Sequence, residues 1–217
     1  LNAKNEVHEM HWVGIDPGLN HVGIGIIKER FTMEPRGDEQ RKVTLDLLPV
    51  TAAYLNIEYP EGGKPQKNPL LIREAAHQTI SVMSQTLDSH ALVGKFTLAI
   101  EDIIFMGART TDIAMAMCKL VWLLTGLLRG THAEPMVVSP TDWRKWLTGK
   151  AQAQPADTRA AILQQGLAPE GLVLQLEGQQ DHMQDAIGVA YGAWAAANAG
   201  RRVYSFARML MPGSAQA

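Results

Sequence analysis

Cysteine is almost missing from this chain: Cys118 stands alone among 217 residues. A single thiol excludes a disulfide framework and a cysteine-based zinc site. Its neighbours Met117 and Leu120 predict a buried, reduced thiol, and with it a reducing compartment. Long apolar runs are missing as well. The nearest approach, Leu120 to Leu128, follows Lys119 and falls far short of the roughly 18 residues a membrane-crossing helix needs. The charged-then-apolar opening of an exported chain is not seen either. These absences predict a cytoplasmic protein without a membrane partner. No charge sign dominates: 20 Lys and Arg against 22 Asp and Glu give a formal net charge of −2. Overall basicity therefore gives no argument for a nucleic-acid partner. Clustered acidic metal ligands would, however, lower the sum without repelling DNA once a cation is bound.

The residues that are present describe an ordinary globular chain of one well-buried domain, 46% hydrophobic and 19% charged. Residues 1–10 are polar and read as a disordered or extraneous N-terminus, residues 11–200 as a single domain, and residues 201–217 as a basic tail beyond Gly200. "HWVGIDPG" and "HVGIGIIKE" are apolar runs separated by the turn-rich "PGLN", which predicts a β-hairpin. "KVTLDLLPV" alternates Val43, Leu45 and Leu47 with polar positions and predicts a third strand. A polar Pro/Gly loop follows, then a helix over Leu70 to Ser89. "KFTLAIED" predicts a buried strand ending in two acids. The helix over "TTDIAMAMCKLVWLLTGLLRG" is apolar on more than one face, so one face is expected to cover the sheet and another to meet a further partner. A short strand, "AEPMVVSP", precedes two short helices with Thr or Asp available as caps. A small-residue-rich helix, "DHMQDAIGVAYGAW", comes last. An antiparallel meander followed by β/α alternation is the element order of an α/β, ribonuclease-H-like mixed five-stranded sheet flanked by helices.

Acids stand at the ends of these elements. Asp16 closes the first strand, Glu101 and Asp102 close "FTLAI", and Asp185 lies one turn into the last helix. His182 (i, i+3) and Asp181 (i, i+4) each share a helical face with Asp185, so both remain candidates beside it. Asp181 is also a natural N-cap, and Asp102 a cap for the next helix. Two carboxylates ~4 Å apart repel by about 4 kcal/mol at an effective dielectric near 20. Three in one apolar pocket need a cation to stay ionised. Oxygen donors with one imidazole suit Mg²⁺, with Mn²⁺ as a substitute, and paired hard cations are apparatus for phosphodiester hydrolysis. The glycines at 14, 18, 23 and 25 allow close backbone approach around Asp16.

Four segments in order resemble RuvC-type Holliday-junction resolvases: "GIDPGLNHVGIGII", "LAIEDIIFMGART", "SPTDWRKWLTGKAQAQ" and "DHMQDAIGVAYGAW". Together they span residues 11–199. The resemblance implies metal-binding, catalytic roles for Asp16, Glu101, His182 and Asp185, with two Mg²⁺ ions per site. It makes Asp181 the cap and His182 the ligand. It further implies DNA contacts from Arg144, Lys145 and Lys150, and from Phe105 and Arg109 in the loop after Glu101. Phe105 sits one residue further from the Glu than in the family, and a plain core role is the alternative. The family's downstream lysine has no match in "AQAQPADTRA", where Arg159 is the nearest substitute. The segment 43–66 is longer than a compact member needs, which predicts an extended strand or loop.

The implied activity is symmetric nicking of four-way DNA junctions in recombination and repair by a homodimer, without a nucleotide cofactor. Lys64, Lys67 and the basic residues at 201–208 extend the expected phosphate footprint. A ribonuclease-H-like nuclease without junction selectivity is the alternative. Actin-like ATPases share the opening hairpin, but they need a second phosphate-binding hairpin that this chain lacks, and it carries no P-loop either. A non-catalytic junction binder would have lost one of the acids, and all are present.

Overall fold

The computed structural model describes residues 6–36, 39–60, 62–92, 96–103, 111–129, 135–169 and 181–209. Five strands, β1 (Glu6–Asp16), β2 (His21–Arg36), β3 (Glu39–Asn56), β4 (Phe96–Glu101) and β5 (Met136–Val138), form one sheet in the order β3-β2-β1-β4-β5. β1, β2 and β3 pair antiparallel, while β4 and β5 add in parallel. The helices are α1 (Pro69–Ser89), α2 (Thr111–Arg129), α3 (Pro140–Thr148), α4 (Pro155–Gln164) and α5 (Asp181–Met209). This is the mixed five-stranded α/β sheet expected from the element order. Among the described residues no helix is long and apolar enough to cross a membrane.

Strand alternation divides the core in two. Val13, Ile15, Val22, Ile24, Leu98 and Ile100 point to one face, against α1 and α2. Trp12, Ile27, Ala99 and Val138 point to the other, against α3, α4 and α5. Two-residue periodicity therefore puts Asp16, in phase with Trp12, and Glu101, in phase with Ala99, on the α5 face. Both carboxylates sit at the C-terminal ends of adjacent parallel strands.

Several boundaries differ from the sequence expectation. β1 starts at Glu6, so residues 6–10 are strand rather than a frayed end. Polar residues persist there because Glu9 bridges Lys28 (3.2 Å) and Arg30 (3.0 Å) on β2. α5 continues through Gly200 to Met209, since an interior glycine costs only about 1 kcal/mol and no proline follows until residue 212. Residues 210–217 lie outside the described residues. The long 43–66 segment becomes the second half of β3 and a short 3-10 turn at Pro65–Lys67. Pro49 is tolerated because β3 is an edge strand and its pairing slips by one residue at Val50.

The short helices are capped differently from the Thr or Asp expected. α3 begins at Pro140 behind Ser139, with Pro at the first position where a missing N–H costs nothing. α4 uses a reciprocal box between Gln154 and Asp157. Cys118 is half-buried rather than buried. α2 matches its expected double face: Leu120, Leu124 and Leu128 are buried, whereas Trp122 is 80% exposed and Ile113 and Met115 are also exposed.

Candidate active site

The site is assembled by a row of residues running across the sheet. In register, Asp16 pairs with Gly23 and Gly23 with Tyr54, while Glu101 ends the strand on the other side of β1. α5 lies directly on this row because Gly14, Gly23 and Gly25 carry no side chains beneath it. A Cβ at Gly14 would stand 2.1 Å from the Ala186 carbonyl oxygen, one at Gly23 1.9 Å from that of His182, and one at Gly25 2.5 Å from the Ile187 nitrogen. The helix backbone therefore occupies the space that side chains would fill, and its first turns deliver His182 and Asp185 to Asp16 and Glu101. The same device works outward. Gly188 and Gly192 on α5 leave room for the Trp143 ring, 2.4 Å from where a Cβ at 188 would be. That seat fixes α3, and α3 carries Arg144 into the site.

Three carboxyls then share a small volume, each with a protein partner. His182 Nδ1 lies 2.5 Å from Asp16 Oδ2. Arg144 Nη2 donates to Asp185 Oδ2 at 3.2 Å, with its guanidinium 4.9 Å from the Trp143 ring centroid. Trp143, fully buried, donates Nε1–H to Glu101 Oε1 at 2.8 Å. Burial raises all three acids. Asp16 rises to about 7, from desolvation and then repulsion by Asp185. Glu101 rises to about 8, from desolvation and then Asp16, to which it donates a hydrogen bond. Asp185 rises to about 6, from desolvation and then Glu101, and Arg144 holds it back. Around neutral pH this cluster retains protons that solvent-exposed carboxyls would have released.

The donor chemistry fits a hard cation: three desolvated, mutually repelling carboxyls and an imidazole. Among the described residues, no three such side chains already surround a common point. His182 and Arg144 take acceptor positions that a cation would compete for. Of the other expected residues, Asp102 is exposed and its Oδ1 accepts from the Ile103 N–H at 2.8 Å, so it turns away from the cluster. Asp181 opens α5 with an exposed side chain, a placement that complements the helix dipole.

Lys145 and Arg159 are exposed on α3 and α4. Lys150 is tied to Asp157 at 2.8 Å. Phe105 and Arg109 lie outside the described residues. Three neighbours of the cluster went unread in the sequence: Trp143, His21 and Tyr54. His21 and Tyr54 stack at 5.6 Å and flank the His182 ring at 5.7 and 6.3 Å. The tryptophan directly before Arg144 was available as a signal for the first. The other two depend on sheet register.

No family model and no curated protein sequence matches the chain. Solved structures do. A Thermus thermophilus RuvC structure aligns at 16% identity and TM-score 0.53, covering 88% of this chain and 97% of that one. A T. thermophilus RuvC in complex with Holliday junction substrate aligns at 17% identity and TM-score 0.54, covering 88% and 96%. At these identities the likeness speaks for architecture, and it extends over nearly the whole of each RuvC chain: the chain has a RuvC-like, ribonuclease-H-like fold.

Proposed function

We propose that this protein is a metal-dependent, structure-selective DNA endonuclease that resolves four-way junctions by paired symmetric nicks. The observation that carries the reading is the cluster of Asp16, Glu101 and Asp185. Three carboxyls raised by burial and mutual repulsion are poor structural residues and good ligands for Mg²⁺ or Mn²⁺. Two such cations, when bound, supply an activated water and stabilise the leaving oxygen of an in-line displacement. His182 completes the donor set. Arg144 is placed to hold the scissile phosphate once it leaves Asp185, and Trp143 orients Glu101 from behind. Lys145, Lys150, Arg159, Phe105 and Arg109 are proposed as further DNA contacts, and Lys150 would exchange Asp157 for a phosphate.

A homodimer suits cutting on two strands, and the exposed side of α2 that carries Met115 and Trp122 is the face proposed for it. Trp122→Glu is expected to convert a dimer to a monomer in light scattering; an unchanged mass would move the interface elsewhere. The function itself is tested with three labelled substrates of equal length, a four-way junction, a linear duplex and an RNA–DNA hybrid, each with Mg²⁺ and with EDTA. Symmetric, metal-dependent nicks near the branch point support the reading. Preferential cutting of hybrid or duplex would move the protein to another branch of ribonuclease-H-like nucleases.

A further inference from the structure

A cleft of about 280 Å³ opens immediately beside His182, between the β1–β2 turn, the Pro65–Lys67 turn and the start of α2. Its walls are mostly apolar: Leu19 from the turn, Ile113 and Met117 from α2. The His21 and His182 rings and the Gln66 side chain supply the polar edges. The volume lies just below the ~300–1,000 Å³ of drug-sized ligand pockets, so the cleft has room for one planar ring system.

His21 is exposed, yet its ring is fixed before any ligand arrives. Nδ1 lies 2.7 Å from Asn56 Oδ1 and 2.5 Å from Tyr54 Oη, and the ring stacks on Tyr54. Tyr54 in turn donates to Asn56 Oδ1 at 3.0 Å. A surface histidine restrained by a hydrogen-bonded neighbour on the same sheet row has little rotamer freedom left to lose on binding. Flat ligands gain most from such a wall.

We propose that this cleft receives one unstacked nucleobase of the cleaved strand, from a nucleotide flanking the scissile phosphate, with His21 as a stacking wall and Gln66 reading the base edge. The inference rests on the nuclease reading, because that reading puts the phosphate at the carboxyls. His182 belongs to both places, so a nucleotide whose phosphate is at the cluster has its base, or its neighbour's, at the cleft mouth. A sugar-phosphate would be a poor occupant of apolar walls. A base offers a π-face to the ring and polar atoms only at its rim.

The test is a coupling experiment on binding in EDTA, where the strand stays intact. Junctions carrying a single abasic site at each position around the cleavage point are titrated against the natural protein, Ile113→Trp, which fills the cleft from an exposed rim position, and His21→Ala. One flanking abasic site is expected to weaken binding by about tenfold in the natural protein. Each variant is expected to bind the intact junction about tenfold more weakly, and to lose less than about twofold more on that abasic junction. Indifference of the natural protein to abasic sites at both flanking positions would overturn the cleft. So would losses that simply multiply between variant and abasic site. Failure of the natural protein to bind any intact junction is a different result, and it removes the nuclease reading first.

Discussion

Gly23→Ala is the perturbation on which the assembly of the site depends most directly. The new Cβ would stand 1.9 Å from the His182 carbonyl oxygen, 2.4 Å from its carbonyl carbon and 3.0 Å from the Met183 nitrogen. All three are backbone atoms of α5, so no side-chain rotation relieves the overlap. Restoring ordinary contact at 3.4 Å requires the helix to retreat by about 1.5 Å at that turn. Overpacking of this kind costs ~1–3 kcal/mol. For a chain of this length each kcal/mol lowers Tm by roughly 2–4 °C.

The effect on chemistry should be larger than the effect on stability, because the turn that moves is the one carrying His182 and Asp185. A displacement of ~1 Å at reacting groups can cost about 10²-fold in rate. The assay is single-turnover cleavage beside thermal melting, with Gly126→Ala as the control for melting alone, since Gly126 lies one turn from Trp122 on the proposed dimer face. No atom lies within 4 Å of a Cβ at 126, and an alanine there in mid-helix should add ~0.5–1 kcal/mol. Gly23→Ala protein with unchanged Tm and full cleavage would mean that α5 does not need the glycine row. A lowered Tm with undiminished cleavage by the folded fraction would separate helix seating from placement of the acids. Either result refutes the reasoning.

In metal-free protein the folded state holds protons on Asp16, Glu101 and Asp185 that the unfolded state has released above their ordinary carboxylate range, so their contribution is full in acid and lost as pH rises through about 6–8. Tm in EDTA should therefore fall between pH 5 and roughly 8.5, and Mg²⁺ should restore more at the higher pH; a flat profile contradicts the cluster. Asp16→Asn should flatten that profile and abolish cleavage while leaving junction binding largely intact, and retained cutting would remove Asp16 from the ligand set. Arg144→Ala breaks a part-buried ion pair, so its stability cost should exceed the ~0–1 kcal/mol of an exposed pair, and it should weaken junction binding or cleavage at least tenfold; unchanged kinetics would take Arg144 out of the site. Trp143→Phe removes the Glu101 donor, at ~1–3 kcal/mol, and also leaves a partial cavity where the indole packs on Gly188, which adds to that cost. It should also raise the Glu101 pKa further, shifting the rise of activity to higher pH at fixed Mg²⁺.

Much of this arrangement could be read from the sequence because the relevant signals are local. "PGLN" between two apolar runs is a hairpin in any context, and an acid directly before Pro-Gly marks a strand end. The i, i+3 spacing fixes His182 and Asp185 on one side of a helix. The remainder depends on pairing. Leu45 and Leu47 face α5, and simple alternation carried onward would put Ala53 and Leu55 there too. The slip at Val50 reverses the parity, so Ala52 and Tyr54 take that face instead and bring Tyr54 into the row with Asp16. No periodicity within β3 reveals this, since one inserted residue changes which side every later residue faces. The glycines were legible as permitting close approach, but not which element would approach.

The acid surplus of the sequence reads differently once the site is known. A formal charge of −2 counts Asp16, Glu101 and Asp185 as fully ionised. In the folded, metal-free protein Glu101 is raised to about 8 and Asp16 to about 7, so at neutral pH part of that negative charge is not expressed. What charge remains is met locally: Arg144 pairs with Asp185, and the His182 ring shares a hydrogen bond with Asp16. The molecule's sum therefore misstates what a phosphodiester would meet at the end of β1 and β4. Under the proposed function the three acids lower the total charge for the same reason that they are useful. They are held in a desolvated cluster that cannot carry its full charge without a cation, and Arg144 beside them becomes available to the substrate when a cation takes over its partner Asp185.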